Sequence, residues 1–215
     1  MSGKVVITGG EGDLAREISR EFSNAGHEVL APGRAELDVT DETGVKEFFR
    51  LHSPGLLICN AGITRDAPLA RLGESDWDQV LAVNLRAAAT CAAAALRGMI
   101  RARAGHIVFI SSYSAIHPPA GQAAYAAAKA GLIGLAKSLA KEVGPAGIRV
   151  NVILPGFLET RMTESVKAER REQVKAEHVL GRFNTPEAVA AFLVNLHVHL
   201  PHTSGQVFQL DSRVG

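Results

Sequence analysis

Three runs constrain this chain most: "VVI" at 5–7, "LLI" at 56–58 and "IVFI" at 107–110 are apolar at every position. A strand with one wet face alternates apolar and polar residues. One that is apolar throughout is buried on both faces, as in parallel sheets covered by helices. The intervening segments agree. After "KVVITG" comes a helical stripe of Leu14, Ile18 and Phe22, spaced by four. "HEVLAPG" reads as a second strand, "AELDV" as a short third and "GVKEFFRLH" as a helix. "GLLICNAG" is a fourth strand, "WDQVLAVNLRAAATCAAAALRGMI" a long helix and "GHIVFISS" a fifth strand. "AAYAAAKAGLIGLAKSLA" (123–140) is the next helix, "IRVNVILPG" a sixth strand and "GQVFQL" a seventh. Strands alternating with crossover helices predict an α/β, doubly wound parallel sheet of about seven strands with helices on both faces. No linker divides the 215 residues, so one domain over 1–215 is expected.

Composition narrows the function. The formal charge is +1, with 47% hydrophobic and 21% charged residues. That balance offers no electrostatic case for nucleic acid or an anionic membrane. Cys59 and Cys91 lack metal-ligand spacing and read as buried thiols. His197, His199 and His202 in "HVHLPH" have neither carboxylate nor cysteine beside them, so no metal is expected. No hydrophobic run of membrane-spanning length and no signal-peptide layout is evident, which predicts a cytoplasmic protein.

Open parallel sheets bind ligands beyond the carboxyl ends of their strands. "ITGGEGDLA" joins the first strand to the first helix there. Gly9, Gly10 and Gly12 let the backbone approach a phosphate, and the helix N-terminus favours negative charge. "CNAG", "ISSYSA" and "LPGFLET" end three further strands with small or polar residues, as the lining of a cleft would. Asn84, inside an apolar helix, needs hydrogen-bond partners. Tyr125 and Lys129 share one helix face at i and i+4. A phenol near pKa 10 is a poor acid–base group, and an adjacent ammonium is expected to lower that value. With Ser112 to hold a substrate oxygen, the set suits proton transfer coupled to hydride transfer from a cofactor.

These motifs together resemble the short-chain dehydrogenase/reductase family from first strand to last, and within it the bacterial 3-oxoacyl-[acyl-carrier-protein] reductases. The resemblance rests on the glycine loop, on "NAGITRDAPLARLGESDWDQVLAVNL", on the serine upstream of Tyr-x-x-x-Lys, and on "YAAAKAGLIGLAKSLAKEVGPAGIRVNVILPGFLET". It implies a Rossmann-type fold. It implies Tyr125 as general acid, Lys129 tuning it and holding the nicotinamide ribose, Ser112 polarising the carbonyl, and Asn84 holding a proton-relay water. It implies Gly9, Gly12 and Leu14 in the glycine loop, Asp38 and Val39 at adenine, and Asn60, Ala61 and Gly62 along the adenosine side. Pro155, Gly156, Leu158 and Thr160 would face the nicotinamide. A homo-oligomer, dimer or tetramer, paired through helices 77–100 and 123–143, is also implied.

The chain departs from the family in several places. Asp13 and Ala15 stand where the glycine loop usually has glycines, and Asp13 is read either as a helix cap or as a carboxylate opposing the pyrophosphate. "GRAELDVTD" leaves no room for the usual helix between strands two and three. The tail reads "LDSRVG" where Asp-Gly-Gly is common. Arg34 at the end of strand two favours NADPH over NADH by pairing with a 2′-phosphate, whereas Glu11 opposes it. Arg101 and Arg103 are expected on a basic rim for an acidic acyl carrier protein, although Ala146 removes the other basic contact. The charged stretch after "PGFLET" is expected to form a helical lid. The leading expectation is reduction of a carrier-bound 3-oxoacyl thioester. The alternatives are oxidoreduction of a free small alcohol or ketone, and a cofactor-binding regulator without turnover.

Overall fold

A computed structural model describes residues 3–214. Six parallel strands form one sheet in the order β2-β1-β3-β4-β5-β6. They are β1 (Val5–Ile7), β2 (Val29–Leu30), β3 (Leu56–Cys59), β4 (Gly105–Ile110), β5 (Ile148–Leu154) and β6 (Val207–Gln209). The register runs Val6↔Leu57, Ile58↔Val108 and Val108↔Asn151 through the centre of the sheet.

Successive strand residues face opposite layers. Val6, Leu57, Ile107 and Phe109 pack with α2 (Glu42–Leu51), α4 (Ala87–Ala102) and α5 (Ala123–Val143). Val5, Ile7, Ile58 and Val108 pack with α1 (Asp13–Asn24) and α7 (Pro186–His199). Both layers are apolar, which accounts for the unbroken strand runs. On α1 the buried stripe is Ala15, Ile18 and Phe22, and Leu14 turns to the cleft instead. Cys59 and Cys91 are buried free thiols, and burial pushes the Cys91 thiol up to about 12.

The predicted third strand, "AELDV", is a turn. The amides of Glu36 and Leu37 donate to Gly33 O, and Glu36 Oε2 accepts from the Gly33 amide. Thr40 then donates its amide and its hydroxyl to Asp38 Oδ1. These local bonds occupy the groups that a sheet ladder would need. The shortened connection thus lacks a strand as well as a helix, and the two-residue β2 becomes the sheet edge.

The long helix is compound. α3 (Glu74–Leu81) runs through a π-turn at Ala82–Arg86 into α4. The continuous span Glu74–Ala102 is long and apolar enough to cross a membrane by length and composition, contrary to the reading of the bare sequence. Its Cys91, Ala92, Ala95, Leu96 and Met99 are instead part of the sheet's core. Of the three C-terminal histidines, His197 stacks on His106 at 5.5 Å, while His199 and His202 stay exposed. Beyond β5, α6 (Ala168–Ala176) forms the charged cover, attached through buried Val174 and His178.

Candidate active site

The carboxyl ends of β1, β3, β4 and β5 open into one cleft of about 650 Å³. Gly9, Gly12, Leu14, Arg34, Asp38, Val39, Asn60, Ala61 and Gly62 line one part of it. Ser112, Tyr125, Lys129, Pro155, Gly156, Leu158 and Thr160 line the rest. Of the predicted catalytic and cofactor residues, Gly10 and Asn84 lie outside that lining.

Lys129 is 4% exposed, and its Nζ donates to Ile110 O at 2.8 Å, 5.7 Å from the Tyr125 ring centre. Burial pulls its pKa down to about 8. Tyr125 does not show the predicted lowering. Burial raises its pKa; the neighbouring Ser112 hydroxyl opposes the rise and the Asp66 carboxylate adds to it. The physical reason is that loss of water penalises the phenolate directly and outweighs an ammonium 5.7 Å from the ring centre. Tyr125 therefore holds its proton at neutral pH. Ser112 Oγ accepts from the Ser114 amide at 3.1 Å, and Ser111 Oγ donates to Lys129 O at 2.7 Å. Ser111 thus ties the end of β4 to α5, while Ser112 caps the 3₁₀ turn Tyr113–Ala115 that follows the strand.

Asn84 is 1% exposed. Its Nδ2 donates to Ile63 O and Val80 O, both at 2.9 Å, and its Oδ1 accepts from the Ile63 amide at 3.2 Å. Both amide hydrogens are therefore spent on backbone. A Cβ at Gly62 would lie 2.7 Å from Asn84 Oδ1 and 3.5 Å from Lys129 Nζ. Glycine there is what lets "NAG", the π-turn and Lys129 meet.

Thr8 carries a role that the sequence did not announce. Its Oγ1 accepts from the amides of Asn60 (3.0 Å) and Ala61 (3.1 Å), and its carbonyl accepts from Asn60 Nδ2 at 3.3 Å. A threonine ending a β-rich run reads as a strand former, so only its place opposite "NAG" marks it. Gln122 is a second such residue. It accepts from Ser114 Oγ at 2.9 Å and donates to Asp66 Oδ2 at 2.7 Å, linking three loops around Tyr125.

The cleft suits a dinucleotide. Gly12 caps α1 without any side-chain hydrogen bond, and the first helical bond runs from the Arg16 amide to Gly12 O. The amides of the first turn thus face the cleft without helical acceptors, as an anion requires. Asp13 is not the cap. It accepts from Arg161, whose backbone amide chiefly holds its carboxyl below the usual range. At the far end, Arg34 pairs with Asp38 at 3.3 Å. A Cβ on Gly33 would meet the Glu11 side chain at 2.9 Å, so that carboxylate lies against the turn. Arg101 and Arg103 do not join the rim. They end α4 just before β4, at the opposite edge of the sheet, and Arg103 Nη2 donates to Pro145 O.

Comparisons agree with this geometry. Residues 2–212 match the family described as enoyl-(acyl carrier protein) reductase. The 3-oxoacyl-[acyl-carrier-protein] reductase of Aquifex aeolicus is 38% identical over 96% of this chain and 85% of its own length. That of Thermotoga maritima is 36% identical over 98% and 97%. A solved structure assigned as an NAD(P)-dependent gluconate 5-dehydrogenase of Beutenbergia cavernae, with bound NADP at low occupancy, superposes with a TM-score of 0.93 at 29% identity, covering 97% of this chain and 95% of that one. A Burkholderia thailandensis oxidoreductase of the short-chain dehydrogenase/reductase family gives 0.91 at 30% identity, over 99% and 92%. A parallel sheet whose carboxyl edge gathers a glycine loop, "NAG", Ser112, Tyr125 and Lys129, in a chain this similar to these reductases, belongs to the short-chain dehydrogenase/reductase family of NAD(P)-dependent oxidoreductases.

Proposed function

We propose that this protein is a cytoplasmic, homo-oligomeric enzyme that reduces a 3-oxoacyl thioester, carried by an acyl carrier protein, to the 3-hydroxyacyl product with NADPH. The observation that carries the reading is the convergence of Ser112, Tyr125 and buried Lys129 in the cleft that the glycine loop also lines. The similarity to 3-oxoacyl reductases over nearly the whole chain supports the substrate class.

A bound reduced nicotinamide supplies the hydride. Tyr125 holds the proton that the product oxygen needs, and its raised pKa keeps the phenol protonated for delivery. The Ser112 hydroxyl orients the carbonyl oxygen beside the phenol. Lys129, protonated below about pH 8, holds the ribose and places positive charge next to the developing alkoxide. Asn84 acts as a positioning residue: through Ile63 and Gly62 it keeps the adenosine-side loop against Lys129. The first-turn amides of α1 receive the diphosphate, and Arg34 receives the 2′-phosphate.

Fluorescence titration with NADPH and NADH, followed by turnover of a short 3-oxoacyl thioester, tests the reading. Tight NADPH binding with turnover is the expected result; binding without thioester turnover overturns the substrate. A second reading, oxidoreduction of a free hydroxy or keto compound such as a sugar acid, is favoured by the fold match to the gluconate dehydrogenase and by Ala146 in place of a base. Turnover of a free ketone but not of the thioester would select it.

A further inference from the structure

Asp13 stands at the head of α1, where the diphosphate of a dinucleotide would meet the helix amides, and a lone carboxylate there would repel it. It is not alone. Oδ1 accepts from Arg161 Nε at 2.9 Å and Oδ2 from the Arg161 amide at 2.7 Å. Arg161 Nη2 also donates to the main-chain oxygen of Glu11. The partners are 148 residues apart in sequence. One belongs to the glycine loop, the other to the 3₁₀ turn (Arg161–Thr163) that follows Thr160 on the cover. Both line the cleft. Three bonds therefore join its two walls across the mouth. Arg161 Nη1 has no hydrogen-bond partner among the described residues, which leaves its two N–H groups for an anion.

The turn is fixed on its own side. Thr163 Oγ1 accepts from the Thr160 amide at 3.0 Å and donates to Leu158 O at 2.7 Å. Arg161 is thus presented on a braced support rather than at the tip of a loose loop.

We propose that Asp13 and Arg161 form a clasp over the diphosphate of the bound dinucleotide: the guanidinium cancels the carboxylate of the glycine loop, and the pair must open before the cofactor leaves. Asp13 is in this light half of a gate rather than a damaged glycine. The inference rests on the cofactor reading above, and its test separates the two.

The experiment is a stopped-flow measurement of NADPH release from the purified protein, by displacement with excess NADP⁺, for wild type, Asp13→Asn, Arg161→Gln and the double variant. Each single change is expected to speed release by about three- to tenfold, the range for a charge-assisted pair that is partly exposed. The double variant should be no faster than the faster single one, because the second change finds the clasp already open. High salt should bring the wild-type rate towards those of the variants, since the Arg161 and Asp13 side chains are 60% and 29% exposed and open to screening. Unchanged rates, slower release from Asp13→Asn, or single effects that multiply in the double variant would each overturn the clasp while leaving the cofactor reading intact. A wild-type protein that binds neither NADPH nor NADH would remove both.

Discussion

At one end of the cleft Lys129 is 4% exposed and its Nζ is anchored to a backbone carbonyl. At the other, the Arg34 side chain is 83% exposed and pairs only loosely with Asp38, four residues on. The proposed catalytic end is assembled from side chains locked to main chain: Ser111 to Lys129 O, Asn84 to Ile63 and Val80, Thr8 to Asn60 and Ala61. The adenosine end is a turn replacing a strand and a helix, with charges that answer one another in water. Buried backbone bonds tolerate almost no change of residue type, because a lost partner leaves a desolvated group unpaired. Exposed ion pairs contribute little and are easily rearranged. Chemistry is therefore expected to be inflexible at the first end and cofactor choice to be tunable at the second.

The largest effect should come from Tyr125→Phe. It removes only the proton donor, so turnover should fall by about a hundredfold to ten-thousandfold, while NADPH affinity measured by fluorescence stays within about twofold, below the worth of one net hydrogen bond. A parallel loss of affinity would show that the two ends are not independent.

Lys129 allows a sharper test through pH. Its folded pKa of about 8 lies below the ordinary lysine value of 10.5, so the unfolded chain binds more protons between those values and stability rises with pH across that window. Below pH 8 the buried charge costs on the order of 3 kcal/mol. Lys129→Met removes this titration. Its stability advantage over wild type should be greatest below pH 8 and shrink as pH approaches 10.5, as read from denaturant midpoints at each pH. A gap independent of pH would mean that the ammonium is solvated. In turnover, wild-type kcat/KM for reduction should decline above about pH 8 as Lys129 loses its proton.

Thr8→Val keeps shape and volume but leaves the amides of Asn60 and Ala61 without their shared acceptor. It should cost about 1–3 kcal/mol in urea unfolding and loosen the loop that both ends share, whereas Thr8→Ser should restore most of the loss. Equal behaviour of the two variants would assign the effect to packing.

The same contrast governs what could be read from the sequence. The strands announced themselves because both of their faces are buried, and α5 because a tyrosine and a lysine at i and i+4 share a face whatever surrounds them. The proposed catalytic pair, Tyr125 and Lys129, was visible through that local spacing. What surrounds them was not. Thr8, the π-turn at Ala82–Arg86 and the Asp13–Arg161 pair act through contacts between segments distant in sequence, which leave no periodic trace. "AELDV" alternates apolar and polar residues as a strand would, yet the turn at Gly33–Leu37 satisfies its backbone first. Arg101 and Arg103 were legible as charge but not as place: the chain enters β4 immediately after them, which puts them at the far edge of the sheet. The expected lowering of the Tyr125 pKa failed for a related reason. Spacing set the distance to Lys129 but said nothing of burial, which outweighs it.

The smallest expected effect lies at the adenosine end and concerns which dinucleotide binds. Arg34 is held by a single partly screened pair, so it is free to turn to a 2′-phosphate at little cost, and Asp38 keeps its charge because the Thr40 hydroxyl and amide bind it. Glu11 lies against Gly33 on the other side of the same turn, where its charge would repel such a phosphate. Arg34→Ala should weaken NADPH binding by about three- to tenfold and leave NADH nearly unchanged, the scale of one exposed charge-assisted contact. Glu11→Gln should strengthen NADPH binding by a smaller factor and again spare NADH. Ratios of dissociation constants for the two dinucleotides, measured at low and at high salt, decide the matter. If the Arg34 variant loses both cofactors equally, the arginine holds the turn rather than the phosphate. If the Glu11 variant gains nothing, the carboxylate points away from the ribose, and the pairing of Arg34 with Asp38 alone sets the preference.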